Sequence, residues 1–199
     1  MSLAAEGRMM LQALLDDLKS FPGRELILPL DRRYLDFCLP PHAQTVPLGA
    51  SDDINGLMPE LIAQADAVWP VAPETGGILA GLARQVRAGG KTLLLSEPET
   101  IALCANKLAT YRRLQRYALP VVETLPLTGL SESPFQVSVI KPIDGVGCEG
   151  NRIVDDPAAF QGIVSNPEDY VLQPMVDGRA VSLSCLFKQG RGWLLCCNR

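Results

Sequence analysis

The sequence predicts an α/β N-terminal domain built on a parallel sheet, residues 1–96, followed by an α+β domain, residues 97–199. Two patterns lead to this division. Between residues 57 and 95, strand-sized apolar runs alternate with helical stretches, as parallel β-α-β packing requires. Beyond Leu119 and Pro120 the pattern changes to Val, Ile and Leu runs separated by Gly, Pro and Asp, which reads as mostly strand. The chain has 199 residues, and at that size roughly 70% of the unfolded surface can be buried without disulfide or metal staples.

The first element is an amphipathic helix from Leu3 to Leu18. Leu3, Met10, Leu11, Leu14, Leu15 and Leu18 recur at helical spacing, and Phe21, Pro22 and Gly23 close the segment. A short strand from Glu25 to Leu30 comes next. The stretch rich in proline and aromatic residues up to about Gly49 predicts no regular element. Leu57 to Ala65 is expected to be helix, Ala67 to Val71 strand, Gly77 to Ala88 helix and Lys91 to Leu95 a buried strand. Ser96 is placed to cap the next helix, with Glu99 three residues on as in a capping box. A further helix is expected from Lys107 to Tyr117 and another, among the later strands, from Pro157 to Val164.

Composition narrows the class of function. The formal charge of −4 argues against a nucleic-acid binder, because such proteins concentrate positive charge on one face. Apolar runs such as residues 91–95 fall far short of the roughly 20 residues of a membrane helix, so no membrane partner is expected. Met1 to Arg8 lacks the basic start, apolar core and cleavage site of a secretory signal, and the expected address is cytoplasmic. The cysteines Cys38, Cys104, Cys148, Cys185, Cys196 and Cys197 contain no C-x-x-C pair, and the single histidine, His42, has no partner at metal spacing. A thiol zinc site and a Ser-His-Asp or Cys-His hydrolase are both disfavoured. Most of the cysteines stand among apolar neighbours and are expected to be reduced core residues.

Two loops are candidates for chemistry. Residues 72–77 follow a predicted strand at its carboxyl end, where open α/β sheets bind ligands. That makes Glu74 a candidate substrate residue; the alternative is that Glu74 or Thr75 merely caps the following helix. The second loop follows a strand ending in Lys141 and Pro142, and Gly145, Gly147 and Gly150 spell G-x-G-x-x-G within it. A dinucleotide-binding unit would open a helix at the third glycine. Here Asn151 to Val154 reads as strand, and the Gly-Lys-Ser/Thr ending of a P-loop is absent. A β-hairpin fits better, its tip laying backbone N–H groups over a triphosphate while Lys141 neutralises phosphate charge beneath. An ordinary glycine-rich turn is the plain alternative. Further on, a strand from Asp169 leads through Gln173, Met175, Val176 and Asp177 into Gly178. Such a linker suits an adenine: main-chain groups read the base edge while Met175 and Val176 give apolar contact. It also suits an exposed Asp-Gly turn.

The order of these parts resembles the ATP-grasp superfamily. It runs from Asn106 and Lys107 through Leu119, Pro120 and Val121, then Lys141 with its glycine loop, to Gln173 through Gly178. Residues 69–75 and 91–96 resemble the pre-ATP-grasp domain of a subgroup that includes archaeal tyramine–glutamate ligases of methanofuran biosynthesis. The resemblance implies an ATP-dependent carboxylate–amine ligase working through an acyl phosphate, on small-molecule carboxylate and amine substrates, in the setting of cofactor biosynthesis. It implies ATP and Mg²⁺ as cofactors. Lys107 and Lys141 would contact phosphates, Gly145, Gly147 and Gly150 would cover them, and Gln173, Met175, Val176 and Asp177 would hold adenine or ribose. Many relatives place a ribose-binding glutamate after the hinge glycine, where this sequence has Arg179 and Ala180. The family's magnesium ligands lie in the second half of its domain, expected beyond residue 199, so the resemblance implies an ATP-grasp domain incomplete at its C-terminus. Two other readings stay open: a non-catalytic nucleotide-binding or interaction module, and a nicotinamide-dependent oxidoreductase. A helix starting at Gly150 would favour the last, and a hairpin would exclude it.

Overall fold

The computed structural model describes residues 3–41, 43–156 and 162–199. Helix α1, Leu3–Leu18, has the predicted bounds, and Leu15 is its fully enclosed apolar residue. Its polar side is tied to the segment after the first strand. Both Arg8 terminal nitrogens donate to the Asp36 carboxylate, at 2.8 and 2.7 Å, and the Gln12 side chain exchanges hydrogen bonds with the Cys38 backbone. Strand β1, Leu26–Asp31, pairs in parallel with β2, Ala43–Leu48. β2 falls in the stretch that predicts no regular element. Pro47 within it is tolerated because β2 has one neighbour, leaving an edge that needs no N–H donor. His42 lies outside the described residues.

Helix α2, Ile54–Gln64, starts at Asp53, whose carboxylate accepts the Asn55 N–H at 3.0 Å. Strands β3, Ala67–Val68, and β4, Thr92–Leu93, pair in parallel and are joined by helix α3, Ile78–Ala88, completing a β-α-β unit. The expected parallel sheet is therefore present as two separate parallel pairs. β3 stops early, shortly before Pro70, which has no N–H to extend the ladder. Leu79, Ala80, Ala83 and Val86 form a buried stripe on α3 and pack with Ile62 of α2 and Leu93 of β4, the one-sided pattern of a helix lying on a core.

Helix α4, Pro98–Ala105, corrects the expected capping box. Its N-cap is Glu97, with Pro98 in the first turn, so Ser96 lies one residue too early. Proline suits that first position because its missing N–H would be unpaired there anyway. The Glu97 carboxylate caps nothing and instead pairs with Arg87 of α3. Ile101 of α4 belongs to the same buried cluster as α3.

Helix α5, Lys107–Arg116, is capped by Asn106, whose side-chain oxygen accepts the Ala109 N–H at 2.8 Å. After it comes a four-stranded antiparallel sheet in the order β5–β8–β6–β7, formed by Leu125–Pro126, Tyr170–Pro174, Ser138–Pro142 and Arg152–Val154. One face of this sheet packs a core of Ile140, Leu172, Leu127 and Val154. A separate antiparallel hairpin, β9 (Ser182–Lys188) and β10 (Arg191–Asn198), ends the chain with its side chains largely exposed. Of the expected helix from Pro157 to Val164, residues 157–161 lie outside the described residues, and residues 162–164 form turn and bend.

The cysteines also require correction: all six are free, and all are exposed instead of lying in the core. Apolar neighbours in sequence do not bury a thiol where no second layer covers the strand, as on β9 and β10. Among the described residues, no helix is long and apolar enough to cross a membrane.

Candidate functional site

Strand alternation fixes what the central sheet offers on the face away from its core. The register sets Val139 opposite both Gln173 and Ile153, and Lys141 opposite Val171. Successive strand residues point to opposite faces, so Lys141, Gln173 and Ile153 share one face while Ile140 and Leu172 fill the other. Lys141 is half-buried, and among the described residues no hydrogen bond or ion pair engages its ammonium group.

Immediately beyond Lys141 the chain turns back as a hairpin, with β7 pairing antiparallel to β6 from Arg152 onwards. No helix opens at Gly150. The helix-terminus arrangement of a nicotinamide site is thereby excluded. The loop is held by two tight turns, Glu149 N–H to Val146 O at 3.1 Å and Asn151 N–H to Cys148 O at 3.2 Å. Gly147, Cys148 and Gly150 all have positive φ, near +59°, +60° and +74°. Among the described residues their three N–H groups donate to no carbonyl. Gly150 is further constrained, because a Cβ there would stand 2.9 Å from Pro142 Cγ, and one at Gly145 would stand 2.9 Å from Pro142 Cβ. The loop thus folds closely over Pro142.

Lys107 enters from the start of α5. Its backbone N–H donates to Ile143 O at 2.9 Å and its ammonium donates to Gly145 O at 2.7 Å. Burial lowers its pKa from the ordinary 10.5, as does the neighbouring Lys141 charge, while Asp144 and Cys148 act the other way. Two ammonium groups and three unpaired amides therefore converge on one loop. Positive charge beside unpaired amides attracts a polyanion. It can neutralise phosphate charge and fix phosphate position by hydrogen bonding.

Gln173 is held in place on the same sheet face, its amide donating to the buried Thr124 hydroxyl at 2.8 Å. The Met175 N–H donates to Val137 O at 2.9 Å, so it is already spent on continuing the β8–β6 pairing. Val176 and Asp177, which follow, are exposed.

Glu74 caps no helix with its side chain, and the N-cap of α3 is instead Gly77, in a left-handed conformation. The Thr75 hydroxyl is not a cap either: it donates to Asp144 O at 3.3 Å, while the Gly76 N–H donates to the Asp144 carboxylate at 2.9 Å. Sequence reasoning missed Asp144 altogether. Nothing local signals a contact between residues 68 and 69 positions apart. Beside the loop lies a cleft of about 550 Å³ lined by Asn106, Asp144, Arg152, Asn166, Asp169 and Tyr170 among others. Among the described residues, no group of three or more His, Cys, Asp or Glu side chains converges to hold a metal ion.

Fold and site together define a two-part α/β protein with a glycine-rich hairpin loop between antiparallel strands. The chain belongs to the ATP-grasp superfamily: residues 25–101 match the pre ATP-grasp 3 domain and residues 104–199 match the ATP-grasp domain. Among solved structures it is similar to an L-amino acid ligase from Bacillus licheniformis, with a TM-score of 0.68 and 21% identity over 94% of this chain and 46% of that one. It is also similar to the biotin carboxylase domain of Hydrogenobacter thermophilus 2-oxoglutarate carboxylase, solved with MgADP and bicarbonate, with a TM-score of 0.59 and 15% identity over 85% of this chain and 42% of that one. A third is Rhizobium etli pyruvate carboxylase, with a TM-score of 0.61 and 16% identity over 81% and 17% of the two chains. At these identities the likeness is one of fold. The chain spans less than half the length of each. No curated protein matches it.

Proposed function

We propose that this chain supplies the ATP-binding part of a ligase that joins a carboxylate to an amine. The carboxylate oxygen attacks the γ-phosphorus and ADP leaves; the amine then attacks the acyl carbon and phosphate leaves. The observation that supports this most is the convergence of Lys107, Lys141 and the unpaired amides of Gly147, Cys148 and Gly150 on one hairpin loop. Holding a triphosphate and neutralising its charge is most of what such catalysis asks of the protein.

In this reading Lys107 and Lys141 contact phosphates and the loop from Gly145 to Gly150 covers them. Gln173 to Asp177 border the adenine and ribose, with Met175 and Val176 presenting exposed apolar surface. Glu74, an exposed carboxylate, faces the amine-bearing substrate. Magnesium belongs to the reading as the counter-ion that ATP brings. An amino acid as carboxylate substrate, a role in cofactor biosynthesis and a cytoplasmic setting are the finer parts of the proposal. So is the division into residues 1–96 and 97–199, although Ile101 packs with the first cluster and favours grouping α4 with the first unit.

A coupled assay for ADP release across amino-acid and amine pairs, run with MgATP, tests it. ADP formation that requires both a carboxylate and an amine supports ligation. Saturable MgATP binding with no turnover for any pair would favour a nucleotide-binding module instead, and no binding at all would sink both readings.

A further inference from the structure

Asp144 sits where three separate pieces of the molecule meet. Its carboxylate accepts the Gly76 N–H at 2.9 Å, and its carbonyl accepts the Thr75 hydroxyl at 3.3 Å. The adjoining Ile143 and Gly145 carbonyls accept from the backbone and side chain of Lys107. The turn that delivers the Gly76 N–H is specialised: Gly76 and Gly77 have φ of +65° and +70°, a pair of left-handed residues that only glycine adopts without strain. Glu74 stands one residue before this pair of contacts. Among the described residues no hydrogen bond or ion pair engages its carboxylate, which leaves it free to receive a cationic group.

From this we infer that Asp144 is a positioning residue coupling the turn of residues 74–77 in the first unit to the phosphate loop of the second. Phosphate held by the loop orders Asp144, Asp144 orders Gly76, and the turn then presents Glu74 to an ammonium-bearing substrate beside the nucleotide. Because coupling between two sites is reciprocal, a cation bound at Glu74 tightens nucleotide binding in return. The inference rests on the nucleotide reading above.

The test is amide hydrogen exchange at Gly76 and across residues 145–150, with and without MgATP, in the full chain and in Asp144→Ala and Asp144→Asn. In the unaltered chain MgATP should slow exchange both in the loop and at Gly76, there by roughly threefold or more. Asp144→Ala should speed Gly76 exchange by about tenfold and abolish its response to MgATP. Asp144→Asn retains an oxygen that accepts from Gly76 but lacks the charge that supports Lys107. It should restore the protection, as a purely electrostatic role would not. Protection of the loop by MgATP with Gly76 unaffected would overturn the coupling and leave the nucleotide reading intact. Absence of protection in the loop itself would overturn the nucleotide reading, and the coupling with it.

Discussion

Lys107 and Lys141, the two lysines of the proposed phosphate site, differ: Lys107 is depressed and Lys141 is unengaged. The pKa of Lys107 is lowered chiefly by burial, with the Lys141 charge contributing. A lysine whose folded pKa is depressed loses its proton before the usual 10.5, so its charge is present below that depressed value and disappears as pH rises through it. Bound phosphate favours the charged form and raises the pKa. MgATP affinity should therefore fall as pH is raised through the depressed value, with proton uptake on binding in that range. Calorimetry in buffers of different ionisation enthalpy measures both effects. Lys107→Arg should flatten the profile, because a guanidinium stays charged throughout; an unchanged profile would place Lys107 outside the site. The same linkage acts on stability. Below the depressed pKa the buried charge costs stability, and that cost is relieved as pH rises towards the unfolded value. The sequence alone singles out Lys141 as a candidate, because a strand lysine followed by a glycine loop is a local pattern. The sequence does not single out Asp144, since its partners Thr75 and Gly76 reach it only through tertiary folding.

The glycines of the hairpin from β6 to β7 are not equivalent. At Gly150 a Cβ would meet Pro142 at 2.9 Å and φ is +74°, whereas at Gly147 φ is +59° in open space. Gly150→Ala should cost about 2–3 kcal/mol, left-handed strain plus a clash, while Gly147→Ala should cost about 1 kcal/mol, strain alone. Urea unfolding of the two variants checks the order; equal costs would mean that the loop does not fold over Pro142. Periodicity made most helices and the hairpin legible, since both are written in neighbouring residues. It failed at β2, where Pro47 hides a strand that tolerates it only at an edge. It failed again at the start of α4, where Pro98 overrode the local capping box. The cysteines misled for a related reason: on β9 and β10 burial depends on whether another layer covers the strand, and the sequence of the strand does not say.

In the molecule as a whole, two units with separate cores meet at one loop. The α3 cluster and the sheet cluster share no residue, yet Thr75, Gly76, Lys107, Lys141 and the glycine loop lie together around Asp144. The two-part organisation was legible from the change of pattern after Pro120, and the order of motifs carried the family resemblance. The junction was not, because it is made of a few polar contacts between residues far apart in the chain. The most direct test is a titration of MgATP into the ¹⁵N-labelled chain, followed through its backbone amide resonances, alongside the same titration of Lys141→Ala. Saturable shifts centred on Lys107, Lys141 and residues 145–150, weakened by about tenfold or more in the variant, equivalent to ~1.4 kcal/mol, are the predicted result. Shifts centred elsewhere, or the same affinity in Lys141→Ala, would contradict the assignment of this hairpin as the phosphate site.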